Sequence, residues 1–177
     1  MQLIATCQCG KVEIRASGQP ILASACYCSD CQEAGRQFEQ LASAPPLLDP
    51  DGGTSVILYR KDRVQCVKGH EFLEERRLKP TSPTRRVFAT CCNSAMFGDF
   101  TKGHWLSLYR KRIAAGAPPL QMRVMTKERR AGVELSGDVP NYEGFSGKFL
   151  LKLLTSWAAM GFRKPKVPWE KAGRAAR

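Results

Sequence analysis

The first periodic stretch of the chain is KVEIR at 11–15, where polar and apolar side chains alternate as on a half-buried strand. Gly18, Gln19 and Pro20 break it, and ILASACYC at 21–28 predicts a second strand running into a cysteine loop. QEAGRQFEQLA at 32–42 has the spacing of a short helix, with Gly35 working against it. APPLLDPDGGT at 44–54 holds too much Pro, Gly and Asp for either state and reads as loop. SVILYR (55–60), RVQCVKG (63–69) and RRVFATCC (85–92) are rich in β-branched and aromatic residues and predict further strands, with a turn at PTSPT (80–84). Short strands separated by turns predict a mainly β fold rather than alternating βαβ units.

Beyond Cys92 the pattern changes. HWLSLYRKRI at 104–113 suits helix and strand alike, and AGAPPL at 115–120 interrupts it. From Ser146 to Met160 the period becomes helical: Leu150, Leu153, Leu154, Trp157 and Ala158 share one face, and Lys148 and Lys152 lie on another. Ser146 is the N-cap and Gly161 the stop. This helix is expected to cover the core, with Trp157 offering a homodimer contact. RKPKVPWEKAGRAAR at 163–177 has too few apolar residues to pack and is expected to wrap the surface or fray.

A length of 177 residues and a hydrophobic fraction of 43% fit one folded domain and exclude wholesale disorder. The net charge of +12 is uneven. Residues 1–99 carry 12 basic and 11 acidic side chains, and residues 100–177 carry 16 and 5. All 8 cysteines lie between Cys7 and Cys92. The chain therefore divides into a cysteine-bearing part, 1–100, and a basic extension, 101–177, that completes or covers the same domain. The basic residues are dispersed and do not alternate with aromatic ones, which argues against a nucleic-acid partner. The apolar stretch Phe149–Phe162 is interrupted by Lys152 and falls short of the roughly 20 residues a membrane span needs. With no export signal at MQLIATCQCGKV, a cytoplasmic, reducing location is expected, where close-spaced cysteines bind metal rather than pair as disulfides.

Cys26-Tyr27-Cys28-Ser29-Asp30-Cys31 places three thiols within one tight loop, and no fourth ligand stands beside them. Cys7-Gln8-Cys9-Gly10 is a separate pair with a glycine where the chain must turn, and Cys91-Cys92 is the remaining close pair. Zinc takes four ligands in structural sites, and three plus an open position in catalytic ones. The spacings thus suggest a closed Cys7/Cys9/Cys91/Cys92 site and an open Cys26/Cys28/Cys31 site, although both clusters serving structure alone is an alternative. Cys66 reads as a small buried residue, and His70 and His104 as surface or turn residues. Asp30 is the carboxylate nearest the three thiols and reads as a loop cap.

CQCGKV (7–12), CYCSDCQ (26–32), GHEFLEERRL (69–78) and RRVFATCCNSAMF (85–97), in this order, resemble the glutathione-dependent formaldehyde-activating family, which includes the centromere protein V-like domains. The resemblance covers roughly residues 3–100 and points to a divergent bacterial branch with a paired-cysteine distal motif. It implies an Mss4-like, zinc-stapled β-sheet fold, a structural zinc on the first and distal pairs, and a second zinc on the three-cysteine run where the glutathione thiol binds. Three departures stand out. Ala89 and Asn93 replace a cysteine and a glycine of the family's distal motif, leaving Cys91 as the substitute ligand. Tyr27 replaces a histidine, and LLDPDGGTSV (47–56) is a longer insert.

On this reading the chain is a carbon–sulfur lyase handling a glutathione-like thiol adduct of a small aldehyde, with Cys26, Cys28 and Cys31 at the reacting end. The alternative is a zinc-stabilised binding module without catalysis, using the basic surface for an anionic partner.

Overall fold

The computed structural model describes residues 1–167. Among them are ten strands and two helices: β1 (Gln2–Thr6), β2 (Glu13–Ser17), β3 (Leu22–Cys26), α1 (Ser29–Glu39), β4 (Thr54–Arg60), β5 (Val64–Lys68), β6 (Leu73–Arg76), β7 (Thr84–Ala89), β8 (Ser94–Phe100), β9 (Trp105–Tyr109), β10 (Met122–Val124) and α2 (Gly147–Ala158). The protein is mainly β, as the strand pattern predicts. The expectation for the tail falls, from Pro168 onward, outside the described residues.

The strands form two sheets, β1-β2-β5 and β10-β3-β4-β9-β8-β7-β6. All neighbours are antiparallel except β10 and β3. One face of the large sheet, with Ile57, Tyr59, Leu106 and Leu108, packs on Leu3, Ile14 and Val64 of the small sheet. The other face, with Val56, Leu58, Phe88 and Tyr109, meets Phe38 of α1 and Phe149 and Leu153 of α2. Each large apolar side chain so buried contributes roughly 1.5–3 kcal/mol. β4 is apolar on both sides because both its faces are covered.

The ambiguous segment at 104–113 is a strand for the same reason. Leu106 and Leu108 face one layer, Trp105 and Tyr109 the other, and β9 pairs with both β4 and β8. The basic part of the chain thus supplies an inner strand, an edge strand (β10) and a helix to the same sheet.

α1 starts three residues before the predicted helix. Cys28 has extended backbone, φ −61° and ψ 150°, and its carbonyl accepts from the N–H groups of Cys31 and Gln32. Gly35 is kept by packing: a Cβ there would strike the Leu48 side chain of the 44–54 loop. That loop is held by Glu39, whose carboxylate accepts from the N–H groups of Leu47 and Leu48 at 2.8 and 2.7 Å.

Three expectations need correction. The buried face of α2 carries Phe149 and Leu153, while Leu150, Leu154 and Ala158 are exposed and Trp157 is half-buried. Apolar residues run around much of this helix, so its periodicity fits more than one face. Ser146 does cap it, accepting from the Phe149 N–H at 3.1 Å. His104 is buried, stacked on Trp157 at 5.7 Å between centroids and bonded through Nε2 to the Ser156 hydroxyl at 2.7 Å. Cys66 is only half-buried, because β5 is an edge strand. Most described basic side chains of the extension are exposed, and two are internal. Arg112 and Arg123 are buried, Arg112 capping the Pro46 carbonyl at 2.6 Å and Arg123 pairing with Asp138 at 2.7 Å.

Asp99 on β8 is fully buried and held from two sides. Arg85 Nε donates to its Oδ2 at 2.6 Å, and the Lys61 ammonium lies 2.8 Å from Oδ1 while donating to the Phe100 carbonyl. Among the described residues, no helix is long and apolar enough to cross a membrane.

Candidate functional site

The structure gathers Cys7, Cys9, Cys91 and Cys92 so that their sulfurs lie within 4.8 Å of one another. Cys7 and Cys9 stand on the β1–β2 turn, where Gly10 adopts φ +72° and donates its N–H to the Cys7 carbonyl. Cys91 and Cys92 stand on the β7–β8 turn, so the cluster joins the small sheet to the large one. Asn93, in the place of the family's glycine, has φ +53°, a left-handed conformation that Asn tolerates better than most residues. Ala89 ends β7 and is buried, and Cys91 reaches the cluster instead, 3.4 Å from Cys9 and 3.9 Å from Cys7 between sulfurs. Tetrahedral zinc with bonds of about 2.3 Å separates its sulfurs by about 3.8 Å. The observed spacings fit such an ion. Burial works to raise the Cys92 thiol, but hydrogen bonds from Ser94 and the backbone N–H of Cys9 bring it down to about 6.

Cys26, Cys28 and Cys31 form a second cluster, with no fourth His, Cys, Asp or Glu ligand among the described residues. β3 ends at Cys26, Cys28 caps α1, and Cys31 lies in its first turn. The Cys26 and Cys28 sulfurs are 3.4 Å apart. Hydrogen bonds from Cys26 and Cys31 push the Cys28 thiol down, with Arg86 adding a smaller attraction, and the same coupling pushes Cys26 and Cys31 up. One sulfur in this cluster therefore ionises well before the others. Asp30 sits exposed in the first turn of α1, where its charge suits the helix dipole, and does not line the neighbouring pocket.

The three thiols line a pocket of about 410 Å³ between the large sheet and α2. Thr54, Arg86, Trp105 and Tyr109 come from the sheet, and Phe149 and Leu153 from the helix. Arg86 is 4% exposed. Its Nη2 donates to the Asp30 carbonyl at 3.0 Å, and its Nη1 is buried without a partner. Burial raises the Tyr109 phenol, which keeps its proton at neutral pH.

Sequence reasoning missed these pocket residues. The signal for Arg86 was present in RRVFA: it lies two positions from Phe88, on the face of β7 that turns toward the helices. Nothing local marks Thr54 or Tyr109, which acquire their setting from the pairing of β4 with β3 and β9.

Residues 2–45, which include the first pair and the three-cysteine run, match the model of a family described as glutathione-dependent formaldehyde-activating enzyme. This bears out the resemblance read from the cysteine motifs, while the distal pair lies beyond the matched segment. A crystal structure of a Rhodobacter sphaeroides protein is similar at 18% identity, covering 80% of this chain and 99% of that chain, with a TM-score of 0.48. No curated protein matches the sequence.

Proposed function

We propose that the protein is a zinc-dependent carbon–sulfur lyase acting on the thiol adduct of a small aldehyde, in a reducing, cytoplasmic setting. Cys26, Cys28 and Cys31 would hold the zinc at the reacting end, and Cys7, Cys9, Cys91 and Cys92 a structural one. The observation that carries this reading is the three-thiol cluster facing a pocket with no fourth side-chain ligand among the described residues. The family match over residues 2–45 points to the same chemistry.

When bound, zinc would supply a position that keeps a substrate thiol deprotonated at neutral pH. The chain does the rest. The apolar walls exclude water from the adduct. The Arg86 guanidinium offsets the thiolate charge from inside the pocket. Tyr109, protonated and lining the same space, can donate a hydrogen bond to an aldehyde oxygen. In the adduct-forming direction a C–S bond forms, the carbonyl π bond opens, and the proton lost by the thiol ends on the new hydroxyl. The lyase direction reverses each change.

Zinc content and thiol-dependent turnover of Cys28→Ser test the proposal. Zinc falling from two to one per chain, with turnover abolished, is expected. Full activity in that variant would overturn the mechanism.

A further inference from the structure

We infer that the pocket beside Cys26, Cys28 and Cys31 selects a substrate with an apolar body and one anionic group, the anion being held by Arg86. This rests on the reading of the three thiols as the reacting end and adds the class of molecule that meets them.

Arg86 is the only charged side chain that lines the pocket apart from the thiols, and no Asp, Glu, Lys or His lines it among the described residues. One nitrogen of its guanidinium is committed to the Asp30 carbonyl, which fixes the group in place. The other, Nη1, is buried and has no partner. A buried donor left unpaired costs free energy, so this position favours a ligand that brings an acceptor, most of all a carboxylate. Thr54, whose Oγ1 is also buried without a partner, lines the same pocket.

The remaining walls call for something other than charge. Val56, Leu58, Phe100, Trp105, Phe149 and Leu153 line the pocket. At its rim Phe145 and Leu150 are each more than half exposed, so apolar surface continues from the floor to the outside. Glutathione carries two carboxylates and an ammonium. Arg86 can meet one carboxylate, and the ammonium and the other carboxylate would lose water with no charged side chain but the thiols beside them. An aryl or alkyl thiol with a single carboxylate leaves no charge unmatched.

Ligand pairs on the zinc-loaded protein test this without altering it. Calorimetry compares 3-phenylpropionate with 3-phenylpropan-1-ol, neither of which has a thiol. The carboxylate should bind about 10- to 100-fold more tightly, the span of one charge-assisted hydrogen bond. Arg86→Gln, checked for native zinc content and circular dichroism, should erase that preference. Equal binding of the two probes would overturn the inference, since Arg86 would then serve only the thiolates. Glutathione competing more strongly than 2-sulfanyl-3-phenylpropionate would overturn it as well. A separate outcome speaks to the reacting end. If the sulfanyl acid binds no better than 3-phenylpropionate and leaves the spectrum of cobalt-substituted protein unchanged, the lyase reading fails while the selectivity of the pocket stands.

Discussion

The Tyr27 hydroxyl donates to an Asp51 carboxylate oxygen at 2.6 Å, tying the loop ahead of β4 to the middle of the three-cysteine run. Two departures from the family pattern, the tyrosine within the run and the long insert, are therefore one device. Asp51 also accepts from the Gly53 N–H at 3.0 Å, which turns the loop back toward β4. The tyrosine ring packs so tightly on Gly53 that a Cβ there would come within 2.8 Å of it. Facing away from the thiols, Tyr27 sets the loop while Cys26 and Cys28 on either side set the cluster.

Tyr27→Phe should cost about 1 kcal/mol, the net worth of a hydrogen bond whose acceptor keeps some access to water. Gly53→Ala should cost more, about 1–3 kcal/mol, because the ring must shift inside a packed site. Chemical denaturation measures both. A Gly53→Ala protein as stable as the parent would contradict the packing described.

Metal removal should separate the clusters. Cys9→Ser and Cys28→Ser are each expected to lower zinc from two to one per chain, but Cys9→Ser should lower Tm far more. The four-cysteine cluster joins two sheets, whereas Cys26, Cys28 and Cys31 lie on one stretch of chain. A structural zinc contributes about 10–16 kcal/mol of apparent binding energy, comparable to the net stability of a domain. Equal Tm losses would argue that the two sites share the structural role.

Asp99→Asn should destabilise by about 3–5 kcal/mol, because it leaves the buried Lys61 ammonium without its countercharge. Adding Lys61→Met should restore part of the loss. A double-mutant cycle showing simple additivity would mean that the pair is not coupled.

The corrected face of α2 can be tested by contrast. Leu153→Ala should cost about 2–5 kcal/mol, as for a buried leucine, and Leu154→Ala less than about 0.5 kcal/mol. The opposite ranking would restore the stripe that periodicity alone suggests.

His104 should make stability depend on pH. Ser156 donates its hydroxyl proton to the Leu153 carbonyl, so the neutral imidazole donates from Nε2 to Ser156. Burial, with smaller repulsion from Lys61 and Arg60, pushes the histidine down to about 4, against a slight opposite pull from Asp62. Its folded pKa is depressed, so the unfolded chain binds the proton first. The contribution is complete above about pH 6.5 and is lost as pH falls toward 4, by up to about 3 kcal/mol. His104→Gln should flatten that part of the stability profile, and an unchanged profile would assign the acid sensitivity elsewhere.

Strands whose alternation or apolar character is local could be read from the sequence: KVEIR, SVILYR and RVQCVKG all correspond to strands of the structure. So could the three-cysteine run, whose spacing is itself a local property, and the two close pairs, which the sequence joins only as the pairs left over. β1, β6, β8 and β10 were not legible. β6 is LEER, a charged edge strand, and β10 is three residues whose partner, β3, lies almost a hundred positions earlier. The pocket was illegible for a related reason. Its charge comes from β7, its phenol from β9 and its roof from α2, and only the folded sheet brings these together.

The two cysteine clusters also differ in when they can form. Cys26, Cys28 and Cys31 span six residues, so this set can close on an ion as soon as that stretch leaves the ribosome. The other must join Cys9 to Cys91, 82 positions apart, and waits until seven strands have been made and the β7–β8 turn has emerged. Closing so long a loop is an entropic cost met only late, when the sheets already hold the two turns close. Zinc scarcity during synthesis would therefore not act evenly. It would leave chains whose pocket end is loaded but whose sheets are not yet fastened together, a species recognisable by one bound zinc and by protease cleavage between the sheets.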